Sequence, residues 1–110
     1  MINRCVVIVR AREPFLQWLK SLPNPSDVSL EQANRDNTVY LLPEYGFDDE
    51  QEELIEQFFS IIFEEQLTGW WTDERDWPSN RDLATFKKWF DVEFHSVVFD
   101  LVDAPIEDED

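Results

Sequence analysis

Residues 3–10, NRCVVIVR, form a short, continuous apolar run rich in β-branched side chains and bounded by polar ones. That pattern predicts a strand buried on both faces, at the centre of a sheet. In EPFLQWLKSL, residues 13–22, Phe15, Leu19 and Leu22 recur along one side, with Pro14 suited to a first helical turn and Pro23 and Pro25 ending the helix. The following PNPSDVSLEQANRDN is rich in turn formers, yet Ser29 and Gln32 have capping-box spacing, which predicts a further helical turn inside the connection.

A second strand is expected at residues 38–43, TVYLLP, with Pro43 marking an edge or a stop. Residues 48–67 open with acids that complement a helix N-terminus and then place Leu54, Phe58, Ile61 and Ile62 at helical spacing. Ile55, Phe59 and Phe63 widen that apolar sector, so the helix is either wrapped by other elements or presents a seam to a second copy. Residues 68–78, TGWWTDERDWP, read as an ordered loop with a short strand at Trp70 and Trp71. Ser79 and Asp82 then have capping-box spacing ahead of a helix carrying Leu83, Phe86, Trp89 and Phe90. Val92 to Val102 alternates as a last strand, with Glu93, His95, Val97, Phe99 and Leu101 on one face and its C-terminal half the more buried.

The order β-α-β-α-α-β predicts an α+β fold, a two-layer α/β sandwich with a small sheet of three or four strands and helices packed on it. Crossovers would be right-handed wherever parallel strands are neighbours. One domain is expected over residues 1–103, followed by an acidic, disordered tail at residues 104–110. No internal repeat is visible.

Composition sharpens this picture. Hydrophobic residues make up 43% of the chain, with nine Phe and five Trp, far more than a disordered acidic chain carries. Cys5 is the single cysteine, which excludes an internal disulfide framework, and with one histidine leaves little material for structural zinc. The apolar run Cys5 to Val9 is too short to cross a membrane, and the N-terminus lacks a signal-peptide pattern; a cytoplasmic protein is expected.

Charge is lopsided. Residues 1–22 carry Arg4, Arg10, Arg12 and Lys20 against Glu13, a net of +3, while residues 23–110 carry five Lys or Arg against 24 acids, a net of −19. The whole chain therefore stands at −16, a field that repels nucleic acid and anionic membranes and draws in basic partners.

Three groups of residues are candidates for function. The carboxylates Glu44, Asp48, Asp49, Glu50, Glu52, Glu53 and Glu56 read either as a solvated helix start or as a docking surface for a basic protein. Mimicry of a nucleic-acid backbone is a narrower form of the second reading. No DxDxDG-like loop ending in Glu supports calcium. The tryptophans Trp70, Trp71 and Trp77 lie among Asp73, Glu74, Arg75 and Asp76, which suits interface anchors ringed by charge. The alternative is a plug for the end of the core, with at least one of the three substantially buried and each indole N–H paired locally. Third, Glu93 and His95, with Asp91 or Asp100, would orient an imidazole for proton transfer or hold a metal, although no HExxH, ExxH or CxxC spacing supplies a third zinc ligand. Cys5, inside an apolar strand, reads as core packing. With Gly46 and Gly69 the only glycines, phosphate-cradling loops are excluded.

Taken together, VYLLPEYGF, GWWTDERDWP and WFDVEFHSVVFDLVDAPI resemble a family of small uncharacterised acidic bacterial proteins over nearly the full length. That likeness implies no activity. LPEYG at Leu42 to Gly46 and LTGW at Leu67 to Trp70 also look similar to segments around the inhibitory helix of barstar-type ribonuclease inhibitors, which are small, acidic, cytoplasmic α/β proteins. The stretch between the two segments is longer here, and LPEYG closes a strand instead of following a helix; no inhibitory residue is carried over.

The expectation is thus a non-enzymatic module or inhibitor that docks a basic partner through Asp48, Asp49, Glu52, Glu53 and Glu56, with Trp70, Trp71 or Trp77 anchoring nearby, and that needs no cofactor or metal. The alternatives are a small enzyme or metal-dependent domain centred on Glu93 and His95, a nucleic-acid mimic, and a homodimer joined along residues 54–63.

Overall fold

The computed structural model describes residues 1–25 and 27–109; Ser26 of the first connection and Asp110 of the tail lie outside the described residues. Three strands, β1 (Arg4–Ala11), β2 (Val39–Pro43) and β3 (Phe90–His95), form an antiparallel sheet in the order β2-β1-β3. Among the described residues four helices pack on it: α1 (Glu13–Ser21), α2 (Leu30–Ala33), α3 (Glu50–Trp70) and α4 (Leu83–Trp89), with a 3₁₀ turn at Glu74–Asp76. This is the expected α+β architecture and element order. Because every neighbouring pair is antiparallel, no crossover handedness arises.

Local chemistry sets most boundaries. Pro14 lies in the first turn of α1, where a missing N–H costs nothing, and Asn24 between two prolines takes φ 61°, a left-handed conformation its short amide tolerates. Ser29 and Gln32 form the reciprocal capping box of α2. Asp82 starts α4 by accepting from the Thr85 N–H at 2.8 Å, so the cap expected from Ser79 is supplied by the aspartate instead. Trp70 closes the last turn of α3 and Trp71 is its extended cap, which removes the short strand expected at those two positions.

β1 is central, as expected, but its two faces differ. Cys5, Val7 and Val9 are at most 2% exposed, whereas Val6, Ile8 and Arg10 on the other face are only half-buried. Register explains the division. Val7 lies opposite Tyr40 and Phe94, and Val9 opposite Val92, on the side where the helices bring Phe15, Leu19, Phe63, Leu67 and Phe86. Val6 lies opposite Leu41 and His95, and Ile8 opposite Val39 and Glu93, on a side that no helix among the described residues covers; Val39 and Leu41 are exposed there. A three-stranded antiparallel sheet can keep one face wet, so the expected double burial does not occur.

Aromatic rings dominate the core. Phe90 stands 5.2 Å from Phe15, 5.5 Å from Phe63 and 5.3 Å from Phe86 between ring centroids, tying α1, α3 and α4 to the foot of β3. In α3, Leu54, Ile62, Phe63 and Leu67 are buried and Ile55, Phe58 and Phe59 partly so, but Ile61 points outward at 65% exposure. The wide apolar sector is therefore largely used by the protein's own sheet and by α4.

The last strand is shorter than its alternation suggests. The β1–β3 ladder ends at Val6 opposite His95, and Val97, Phe99, Leu101 and Val102 are exposed, reversing the expected burial of the C-terminal half. Residues 96–109 contain no helix or strand.

At the other end of the sheet, the Asn34 side chain accepts from the Ala11 N–H at 2.8 Å and donates to the Ala11 carbonyl at 2.9 Å, taking the place of a strand partner where β2 has not yet begun. Replacing Asn34 by Ala strands both backbone groups. Urea denaturation should show a loss of about 1–3 kcal/mol, and an unchanged midpoint would contradict this role.

Candidate functional site

Asp49, Glu52, Glu53 and Glu56 follow the i, i+3, i+4, i+7 spacing of a single helical side over the first two turns of α3. Asp49 occupies the cap position without a side-chain cap bond, and all four side chains are exposed, as is Asp48 just before the helix. Glu52 pairs with Lys87 of α4, which ties this end of α3 to the neighbouring helix. Glu50 turns back instead, accepting from the Gly46 N–H at 3.2 Å, and Gln51 donates to the Tyr45 hydroxyl at 3.0 Å, so the loop entering α3 is held by the helix it precedes. Glu44 is exposed beyond the end of β2. Asp49, Glu53 and Glu56 make no ion pair among the described residues.

The tryptophan loop is ordered by its own polar groups. The Trp71 indole N–H donates to the Asp76 carboxylate at 2.9 Å, Trp77 donates to the Trp71 carbonyl at 2.8 Å, and Trp18 of α1 donates to the Asp76 carbonyl at 2.9 Å. Arg75 forks onto Asp73 through two contacts of 3.1 and 2.8 Å; that hydrogen bond, more than the Arg75 backbone N–H that Asp73 also accepts, holds the carboxyl below the usual aspartate range. The Arg81 guanidinium lies 5.7 Å from the centre of the Trp77 ring. Trp71 and Trp77 are half-buried against the core, while Trp70 is 40% exposed and meets Phe15 edge-on at 6.4 Å.

These two groups do not converge. Trp70 lies eighteen positions beyond Glu52 in α3, and at 1.5 Å per residue they stand about 27 Å apart along the axis. The carboxylates and the tryptophans, expected to be close, sit at opposite ends of the longest helix.

Glu93 and His95 do share a face, the uncovered side of the sheet, and are hydrogen-bonded to each other. The Glu93 carboxylate also takes Arg10 of β1 at 3.0 Å. The hydrogen bond from His95 and then that from Arg10 hold the Glu93 carboxyl below the ordinary glutamate range. Arg10 escapes a reading of the sequence because it lies 83 positions from Glu93; only the strand register, with Ile8 opposite Glu93 and Arg10 opposite Asp91, brings it alongside. No group of three or more His, Cys, Asp or Glu side chains is placed to hold a metal among the described residues. Cys5 is buried at the heart of the sheet, and burial pushes its thiol up, as a core role requires. No helix among the described residues is long and apolar enough to cross a membrane.

Comparison of the chain with protein-family models, with curated proteins and with solved structures finds no match. The likenesses to small acidic bacterial proteins and to barstar-type inhibitors rest on the short segments quoted above. In the fold, LPEYG spans the end of β2 and the loop toward α3, and LTGW forms the last turn of α3.

A carboxyl held low by its partners stabilises the fold above its unfolded value and loses that contribution as pH falls through the folded one. The stability difference between the wild type and Glu93→Gln should therefore shrink as pH falls below 4.5, the ordinary value for this group. Denaturation curves across acidic pH read this directly, and a difference independent of pH would refute the assignment.

Proposed function

We propose that the protein is a non-enzymatic binding module that docks a basic protein through the acidic side of the first two turns of α3. The observation that carries this reading is the shortage of internal compensation: among the described residues, which hold all of the chain's 25 acidic side chains but Asp110, only Glu52, Asp73 and Glu93 take part in ion pairs. Surface charge left uncompensated on this scale raises the local concentration of cationic partners and speeds their approach. Asp49, Glu53 and Glu56, on one side of a helix pinned at both ends, supply a rigid row of acceptors, with Asp48 and Glu52 at its margin. An inhibitor of a basic nuclease is one form such a module takes.

The tryptophans enter differently. The indole N–H groups of Trp71 and Trp77 are already used within the loop, so these rings serve the fold first. Trp70 has ring surface to offer, but only a partner long enough to lie along α3 would reach it and the carboxylates together.

Immobilised full-length protein should retain a basic partner at about 0.05 M salt and release it at 1 M, where the Debye length falls to about 3 Å. Asp49→Asn, Glu52→Gln, Glu53→Gln and Glu56→Gln combined should weaken that complex at least tenfold, each exposed pair contributing about 0.2–1 kcal/mol. Retention that ignores both salt and the fourfold variant would reject the proposal.

A further inference from the structure

The uncovered face of the sheet carries Val6 and Ile8 from β1 and Val39 and Leu41 from β2, framed by Arg4, Arg10, Asp91, Glu93 and His95. Val39 is 54% and Leu41 47% exposed. Arg4 and Arg10 balance Asp91 and Glu93 on this face, in a molecule of net charge −16. A cationic partner is steered to the acidic helices, not here; a neutral apolar face is where a like-charged copy meets least repulsion.

The C-terminal segment supplies what such a copy would bring. Val97, Phe99, Leu101 and Val102 are 63–92% exposed, in line with β3 and interleaved with Asp100 and Asp103. A backbone bond from the Ile2 N–H to the Val98 carbonyl at 2.8 Å holds the segment beside the residues that precede β1 as far as Val98, beyond which Phe99, Leu101 and Val102 are exposed. The Cα radius of gyration is 15.3 Å, against about 13 Å for a compact domain of this length, as a segment running clear of the body requires. In extended backbone Phe99, Leu101 and Asp103 share one side, which suits a face whose central strand carries Val6 and Ile8 between Arg4 and Arg10.

Area decides between two ways of pairing copies. Three strands about 4.8 Å apart and about six residues long present roughly 300 Å². A stable interface removes about 800 Å² from each partner, so sheet against sheet falls well short. Exchange of the C-terminal segments adds the exposed Phe99, Leu101 and Val102 to the seam twice, once in each direction, and uses both apolar surfaces.

We propose that this protein forms a two-fold dimer in which residues 99–103 of each copy lie across the open sheet face of the other, with Val6, Ile8 and Leu41 receiving Phe99 and Leu101 and with Arg4 meeting Asp103. The seam lies on the sheet face and the segment after β3, not along the apolar sector of α3. It is independent of the acidic docking surface, because the carboxylates of α3 take no part in it.

Sedimentation equilibrium on the full chain over about 1–100 µM, at 0.15 M salt, tests this. The wild type should sediment as a dimer with a micromolar or tighter dissociation constant. Phe99→Asp with Leu101→Asp, in a segment that contributes nothing to the core, should weaken the dimer at least a hundredfold, and Leu41→Asp should do the same from the receiving side. Ile61→Asp on the outward side of α3 should leave it unchanged. A wild-type monomer at 100 µM, a dimer that survives the paired change in the C-terminal segment, or one lost on Ile61→Asp would each overturn the proposal.

Discussion

The packing of aromatic rings from three helices onto one face of the β1 row is the interaction on which the rest of the structure depends. Val7 and Val9 provide the floor, Phe15, Phe63 and Phe86 descend on it, and Phe90 links them at the point where α4 passes into β3. Non-polar burial of this kind is roughly proportional to area, and large rings supply it with few residues. That economy lets a chain with 31% charged residues and a net charge of −16 close a core with no buried charged side chain among the described residues. Polar groups brought close to the core are paired: Trp18 and Trp71 on Asp76, Trp77 on the Trp71 carbonyl, and Asn34 on Ala11.

Concentrating the core on one side has two consequences. It leaves the acidic side chains on exposed surfaces, with Asp49, Glu52, Glu53 and Glu56 at the start of α3, where salt screens their mutual repulsion. It also leaves the second sheet face without a cover, and there Arg10, Glu93 and His95 form a small polar network instead of a hydrophobic layer. The first consequence supplies the field proposed to recruit a basic partner. The second supplies a neutral surface suited to self-association.

Much of the architecture was legible in the residues because local chemistry marks it. Pro14, Pro23, Ser29 with Gln32, and the acids ahead of Leu54 each punctuate a helix through a backbone group that needs, or lacks, a hydrogen-bond partner. What escaped was set by partners distant in the chain. The alternation from Val92 to Val102 is continuous, but a strand requires a neighbour, and the β1–β3 ladder ends at His95. The run Cys5 to Val9 shows no difference between its odd and even positions, so only the one-sided placement of the helices reveals which face is dry. For the candidate site, the carboxylate row could be seen from its spacing. Its distance from the tryptophans depended on α3 running unbroken through Trp70, and the Arg10 partner of Glu93 depended on strand register.

The most direct test of this one-sided core compares two identical residues on consecutive positions of β1, in a chain that also carries Phe99→Asp and Leu101→Asp so that association does not contribute. Val7→Ala opens space beneath Phe94 and the helices and should cost about 2 kcal/mol or more of unfolding free energy, whereas Val6→Ala, on the uncovered face, should cost less than half as much. Equal losses at the two positions would mean that β1 is buried on both sides, and the account of an open sheet face would fall.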